Sequence, residues 1–206
     1  YPSFSGSFVF SELLKQSDLM PYGKFRLSWA QVGSDTDPYQ LGLVYSKSKF
    51  TYPGYTIGYI NNSTMPNKNL KPTKTNSFEL GLEMKFLKNR IGLDFTYYTQ
   101  NSKNQIMGMA SSWTSGYNYR LINAGEIENK GIEIALNTRP IELKDFSWDL
   151  NLNFSKNSNK VKKLVDGMDM FELEKAAWLD VQVAAKVGEN FGAIVGPDFK
   201  RNENGD

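Results

Sequence analysis

The sequence predicts an all-β fold, an antiparallel transmembrane β-barrel segment with long extracellular loops. Three observations predict it. The strand-like stretches alternate strictly, with one apolar face each. The clearest of them, Phe78 to Phe86, is nine residues long, and a tilted transmembrane strand needs roughly 9–11. The connections alternate in length: Leu13–Gly23 (short), Gly33–Thr75 (long), Leu87–Arg90 (short), Asn101–Asn129 (long), Arg139–Asp145 (short), then everything after Ser155 (long). A soluble sheet has no reason to gather its long loops at one end. Outer-membrane barrels do so, with short periplasmic turns and long outer loops.

The elements follow in order. Ser3 to Phe10 (Phe4, Phe8, Phe10) and Lys24 to Gln31 (Phe25, Leu27, Trp29) are the weaker copies of the pattern. Phe78 to Phe86 sets Phe78, Leu80, Leu82, Met84 and Phe86 against Glu79, Gly81, Glu83 and Lys85. Ile91 to Thr99 sets Ile91, Leu93, Phe95 and Tyr97 against Gly92, Asp94, Thr96 and Tyr98. Lys130 to Thr138 sets Ile132, Ile134 and Leu136 against Gly131, Glu133, Ala135 and Asn137. Phe146 to Phe154 sets Phe146, Trp148, Leu150, Leu152 and Phe154 against Ser147, Asp149, Asn151 and Asn153. Short links fix registers: Leu82 is expected opposite Phe95 and Leu80 opposite Tyr97. Leu136 is expected beside Trp148 and Ile134 beside Leu150. A one-residue slip would carry Glu83 to the apolar side.

The polar faces separate a barrel from a soluble sandwich. A sandwich also alternates, but its outward face is usually of mixed charge. Here Gly, Ser, Asn and Ala accompany carboxylates, which suits a crowded, wet lumen. Tyr97, Tyr98, Trp29 and Trp148 are candidates for interfacial aromatic girdles; the blander reading is ordinary sheet aromatics. Six or so strands cannot close a barrel, whose bacterial minimum is about eight. An unclosed apolar face would aggregate. The chain opens mid-pattern at Tyr1 and is expected to be a piece of a larger barrel, with the remaining strands supplied elsewhere.

Composition narrows the chemistry. The chain has 206 residues, a net charge of +2, and neither Cys nor His. That balance argues against a nucleic-acid partner. The missing residues remove disulfides, thiol chemistry, histidine acid–base catalysis and the usual zinc sites. Mean hydropathy is −0.48, and no apolar run is long enough for a membrane helix. A barrel strand shows lipid only alternate residues, so this average does not argue against a membrane.

Particular stretches resemble a known family. Asn67-Lys68-Asn69-Leu70-Lys71-Pro72-Thr73-Lys74-Thr75, continuing through Asn76-Ser77-Phe78-Glu79-Leu80-Gly81-Leu82-Glu83, resembles a signature of TonB-dependent outer-membrane transporters. Lys68 departs from it, where Pro is commoner, and affects only the loop. Asn123-Ala124-Gly125-Glu126-Ile127-Glu128-Asn129-Lys130-Gly131-Ile132-Glu133 is similar to the SusC/RagA version of a strand entry. Phe146-Ser147-Trp148, the Asn-rich Asn153 to Val161, and Val187-Gly188-Glu189-Asn190-Phe191-Gly192 resemble that version too, as do Tyr1-Pro2-Ser3 and Leu27 to Gly33. The resemblance implies a plugged barrel of about 22 strands. It also implies import of oligosaccharides or oligopeptides across the outer membrane of a Gram-negative, Bacteroides-type bacterium. A SusD-like lipoprotein would act as lid and TonB as energy source. Residues 1–206 then form a fragment of the barrel domain, 156–206 an extracellular loop region, and the plug domain lies outside this chain.

Candidate site residues carry two readings each. Glu83 is expected opposite Asp94, with side-chain Cβ atoms about 4.5–5.5 Å apart. The pair reads as a glycosidase couple or cation site, or as part of a lumen charge network with Glu79 and Glu133, neutralised by Lys85 and by basic plug residues. Glu79 and Glu83 are about 13 Å apart along their strand, too far for either glycosidase geometry. Trp113, Tyr117, Asn118 and Tyr119 offer flat rings beside amide and hydroxyl groups, suited to a sugar or peptide ligand; the alternative is that they fold the loop. Asp35-Thr36-Asp37-Pro38-Tyr39 reads as a turn with two acids, or as a Ca²⁺ site. Lys200, Asn202, Asn204 and Gly205 echo an EF-hand, but Lys at the first position breaks it. Leu179, Val181, Val183, Ala185 and Val187 alternate as a strand of an outer excursion. No catalytic residue, metal or cofactor is expected. Active import leads; a soluble β-rich glycan-binding module is the alternative, and an enzyme lacks both His and a well-spaced acid pair.

Overall fold

The computed structural model describes residues 1–14, 19–38, 41–50, 52–60, 64–177 and 180–198. Strand β1 (Ser3–Phe8) leads through a 3-10 turn at Phe10–Leu13 to β2 (Tyr22–Ser34). The next connection carries the short strands β3 (Tyr45–Lys47), β4 (Gly58–Ile60) and β5 (Thr64–Met65). A hairpin of β6 (Thr73–Phe86) and β7 (Ile91–Lys103) follows. Beyond it lie β8 (Ile106–Ala110), β9 (Tyr119–Asn123), β10 (Glu126–Glu142) and β11 (Ser147–Lys163). The chain continues through β12 (Met170–Lys175), β13 (Gln182–Lys186) and β14 (Ala193–Val195).

Six strands form one antiparallel sheet in the order β1-β2-β6-β7-β10-β11, which is their chain order. Successive links therefore leave from alternate ends. Links 9–21, 87–90 and 143–146 share one end, and 35–72, 104–125 and the chain after Lys163 share the other. The predicted segregation of short and long links is present. The long strands outrun their predicted limits: β10 begins at Glu126 and β11 ends at Lys163.

Register decides which residues share a face. Leu82 pairs with Phe95 and Leu80 with Tyr97, as expected. The second hairpin corrects the expectation: Leu136 pairs with Leu152, Ile134 with Phe154, and Trp148 with Ile141. The strands run through Arg139 and Pro140, with a register shift between Thr138 and Ile141. The tight link is Leu143–Phe146, closed by a 2.7 Å bond from the Leu143 N–H to the Phe146 carbonyl, rather than Arg139–Asp145. Pro is tolerated at such an irregularity because the ladder there demands no N–H. The displacement is an even number of residues, so no side chain changes face.

Reading across the ladder, Phe8, Phe25, Leu82, Phe95, Ile134 and Phe154 form one apolar row spanning all six strands. An adjacent row on the other face reads Lys24, Glu83, Asp94, Ala135, Asn153. The apolar band does not follow the rows. On β2 it centres on Leu27; the row through Leu27 passes Leu80, Tyr97 and Ile132 and reaches β11 at Lys156. On β11 the apolar run Trp148–Phe154 centres on 151, five residues (156 − 151) nearer the short-link end.

The band has no packing layer over it among the described residues: Phe8 is 53%, Leu152 52% and Phe154 54% exposed. The buried apolar residues Ala124, Val161, Leu164, Ala184 and Ala185 all lie off this face. Val161, Leu164 and Ala185 form a small core at the long-link end with Met168, Phe171 and Leu173. There β12, β13 and β14 make a separate three-stranded sheet, so a strand is present as β13, shorter than the expected Leu179–Val187 alternation and with the adjacent Ala184 and Ala185 both buried; Leu179 lies outside the described residues, as do Tyr39 and the EF-hand-like residues. The Gly188 turn, at φ 89°, clasps β11: its N–H donates to the Val161 carbonyl at 2.8 Å, and Val161 donates to Glu189 at 2.9 Å.

Candidate functional site at the polar face and the loop end

The polar face pairs two of the predicted acids, Glu83 and Asp94, with two cations of β2. Glu83 pairs directly with Asp94 across the β6–β7 ladder, a like-charge contact that needs compensation. Lys24 stands 3.6 Å from Glu83. Arg26 Nη2 donates to both Asp94 carboxylate oxygens, at 2.8 and 3.1 Å. Arg26 starts two strands away and crosses β6 over Gly81, where a Cβ would stand 2.7 Å from its Nε. Lys85 is not the partner that the sequence suggested; its ammonium lies 5.3 Å from the centre of the Tyr22 ring, a cation–π distance. Glu79 lines a hollow with Lys24, Arg26 and Ser28. Glu133 lines another with Asp94, Thr96 and Asn153. The four predicted acids thus gather around one stretch of wall. Tyr98 belongs to this face rather than to an aromatic girdle: it lies over Gly131 and its hydroxyl bonds Asn157 Oδ1 at 3.3 Å.

At the loop end, Trp113 sits in a 3-10 turn, Trp113–Ser115, that ends at Gly116 with φ 79°. Hydroxyls hold the turn: Ser112 and Thr114 are 2.8 Å apart, and Ser115 Oγ donates to the Ser112 carbonyl at 2.6 Å. Trp113 is 81% exposed. Tyr117 and Asn118 are half-buried, and the Asn118 carbonyl accepts from the Ser111 N–H at 2.8 Å. Tyr119 opens β9 opposite Ala110 and leaves the other three. It lines a cleft of about 700 Å³ with Met107, Met109, Met168, Met170 and Phe171. Four of the chain's seven methionines meet there. Sequence reasoning missed this surface, although Met107-Gly108-Met109 and Met168-Asp169-Met170 were its signal. Methionine gives an adaptable apolar lining. At the other acid-rich loop, Asp35 Oδ1 accepts from the Thr36 N–H at 2.9 Å, which is turn chemistry.

Asn123 ties two of the long links together. Its amide donates to the carbonyls of Lys71 (2.6 Å) and Asn104 (3.0 Å), and its Oδ1 accepts from the Lys71 N–H (2.7 Å). Asn67 reaches the Leu121 carbonyl at 3.0 Å. The two asparagine-led motifs quoted from the sequence are therefore bonded to one another.

Comparisons with known proteins agree with this architecture. A family described as TonB dependent receptor-like, β-barrel, matches residues 2–173. A TonB-dependent receptor of Formosa agariphila is 31% identical over 91% of this chain and 19% of its own length. The TonB-dependent receptor SusC of Bacteroides thetaiotaomicron is 30% identical over 82% of this chain and 18% of its own. The solved RagAB peptide transporter superposes with a TM-score of 0.76 at 20% identity, covering 91% of this chain and 20% of that one. The chain spans about a fifth of the length of these relatives.

Proposed function

The chain belongs to the TonB-dependent receptor β-barrel family, and from that premise we propose that it forms part of the wall and outer vestibule of an active transporter. Its place is the outer membrane of a Gram-negative, Bacteroides-type bacterium, crossed by the six strands of the large sheet. The observation that carries this reading is the uncovered apolar band on one face of a sheet whose other face is polar. In a barrel the first face meets lipid and the second lines the lumen. The long links then lie outside the cell. A soluble glycan-binding module would need a second layer over that band, and no described residue supplies one.

The function is capture and passage, not bond chemistry. Ligand is held at the mouth between the long links and a SusD-like lid, and TonB moves the plug, which the rest of the transporter supplies. The cargo class is an oligosaccharide or oligopeptide. Tyr119 and the methionine cleft favour contact with apolar surfaces of the cargo, and Trp113, Tyr117 and Asn118 extend the same rim. Glu79, Glu83, Asp94 and Glu133 form a lumen charge network with Lys24 and Arg26. The test is uptake of labelled oligosaccharides and oligopeptides by cells carrying the full-length transporter. Mass spectrometry of ligand co-purified with the intact complex identifies the cargo. Uptake is expected to vanish without TonB; uptake that persists would refute active transport.

A further inference from the structure

Above the apolar band, at its long-link border, the outward face changes character on β10 and β11. Register places Lys130 opposite Ser158, Ile132 opposite Lys156 and Glu128 opposite Lys160. Lys130 and Lys156 are thus the next outward-facing residues beyond Ile132 and Phe154. Lys156 and Lys160 flank Ser158 about 7 Å away along the strand, and Lys130 faces it at about 5 Å. Glu128 pairs with Lys130 at 3.7 Å and with Lys162 at 3.4 Å. Lys156 and Lys160 have no ion pair among the described residues.

The lysines are sorted by face. The lumen side of β11 reads Asn151, Asn153, Ser155, Asn157, Asn159 and carries no cation over that stretch. The opposite border of the outward face, near the short links, shows Phe86, Ile91, Ile141 and Trp148. Lysines that merely keep a strand edge soluble need no such sorting, and Lys130 is not on an edge strand. Stems that lie along apolar surface and heads that reach upward suit the boundary between acyl chains and headgroups.

We propose that Lys130, Lys156 and Lys160, grouped round the Ser158 hydroxyl, bind the phosphate groups of outer-leaflet lipid headgroups. The proposal rests on the wall standing in a bilayer with its long links outward. Flexible stems let the ammonium groups converge on one anion, and the adjoining band holds that lipid's acyl chains.

The test uses the full-length transporter in detergent, as wild type and as the K130Q/K156Q/K160Q and K130R/K156R/K160R variants. Native mass spectrometry measures binding of a phosphorylated glycolipid, its dephosphorylated counterpart and inorganic phosphate. The glutamine variant is expected to hold the phosphorylated lipid on the order of 100-fold more weakly, at roughly fivefold per lysine. The arginine variant should keep it. Equal affinity of wild type and glutamine variant overturns the site, as does equal binding of the dephosphorylated lipid. Displacement of the lipid by equimolar inorganic phosphate makes it a free-anion site and overturns the lipid assignment. Heat-modifiable mobility on gels reports the barrel itself. A transporter that folds and stays dispersed without detergent overturns the wall reading as well, whereas lysine-indifferent binding by an intact barrel overturns the site alone.

Discussion

Two glycines of the polar face let side chains skip a strand. Arg26 crosses Gly81 to reach Asp94, and Tyr98 crosses Gly131 to reach Asn157. The sequence showed that these glycines share a face with the acids, but periodicity reveals neighbours and not reaches across two strands. The sites differ in what an added methyl would meet. At Gly81 it meets a movable guanidinium; at Gly131 it also stands 2.7 Å from the Lys156 carbonyl oxygen, which is backbone. Gly131→Ala should therefore cost about 1–3 kcal/mol. Gly81→Ala should cost about 1 kcal/mol or less, chiefly through the half-exposed Arg26–Asp94 pair. Thermal unfolding of the full-length barrel checks the order. Combining Gly81→Ala with Arg26→Gln should add little to either alone, because both remove the same contact. Asn123→Ala leaves the Lys71 N–H and carbonyl without their side-chain partner and the Asn104 carbonyl with Thr73 Oγ1 alone, so a loss of about 1–3 kcal/mol is expected in the same assay.

Among the elements, strands β6, β7, β10 and β11 were legible because one apolar face repeats on each. Their ends were not. Pro140 reads as a strand breaker, yet it occupies an irregularity within β10, so the hairpin was placed with too long a link. The β6–β7 turn was legible in length only. It takes positive φ at Leu87, Lys88 and Asn89 with no glycine to announce it. The faces survived these errors, and they separate mutations. Leu82→Arg or Ile134→Arg puts a charge toward lipid and should cost about 2–4 kcal/mol near the midplane. Glu133→Gln, facing the lumen, should be milder. The folded fraction in an outer-membrane assembly assay distinguishes them, and equal tolerance of both kinds of change would contradict the assigned faces.

For the whole molecule, link alternation carried the architecture and motif order carried the family, and both agree with the fold and the comparisons. The methionine cleft was not legible, since its two Met-x-Met stretches lie far apart in sequence and come together only as lining of one cleft in the fold. Replacing Trp113, Tyr117 and Tyr119 together with Ala should weaken uptake while leaving barrel assembly intact. If uptake and lid binding are both unchanged, these rings only hold the loop. The diagonal course of the apolar band has a further consequence. Five residues of drift over four strand steps is about 17 Å of climb for every 19 Å travelled round the wall, a lean of about 40°. Hydrogen-bonded rows therefore wind up the sheet like a screw thread, and in a closed barrel they would not meet as level hoops. At that lean, a ring of about 22 strands is roughly 44 Å across at the backbone. No inward side chain bridges such a bore, so in the proposed transporter a folded body standing inside it would be needed to make the opening selective.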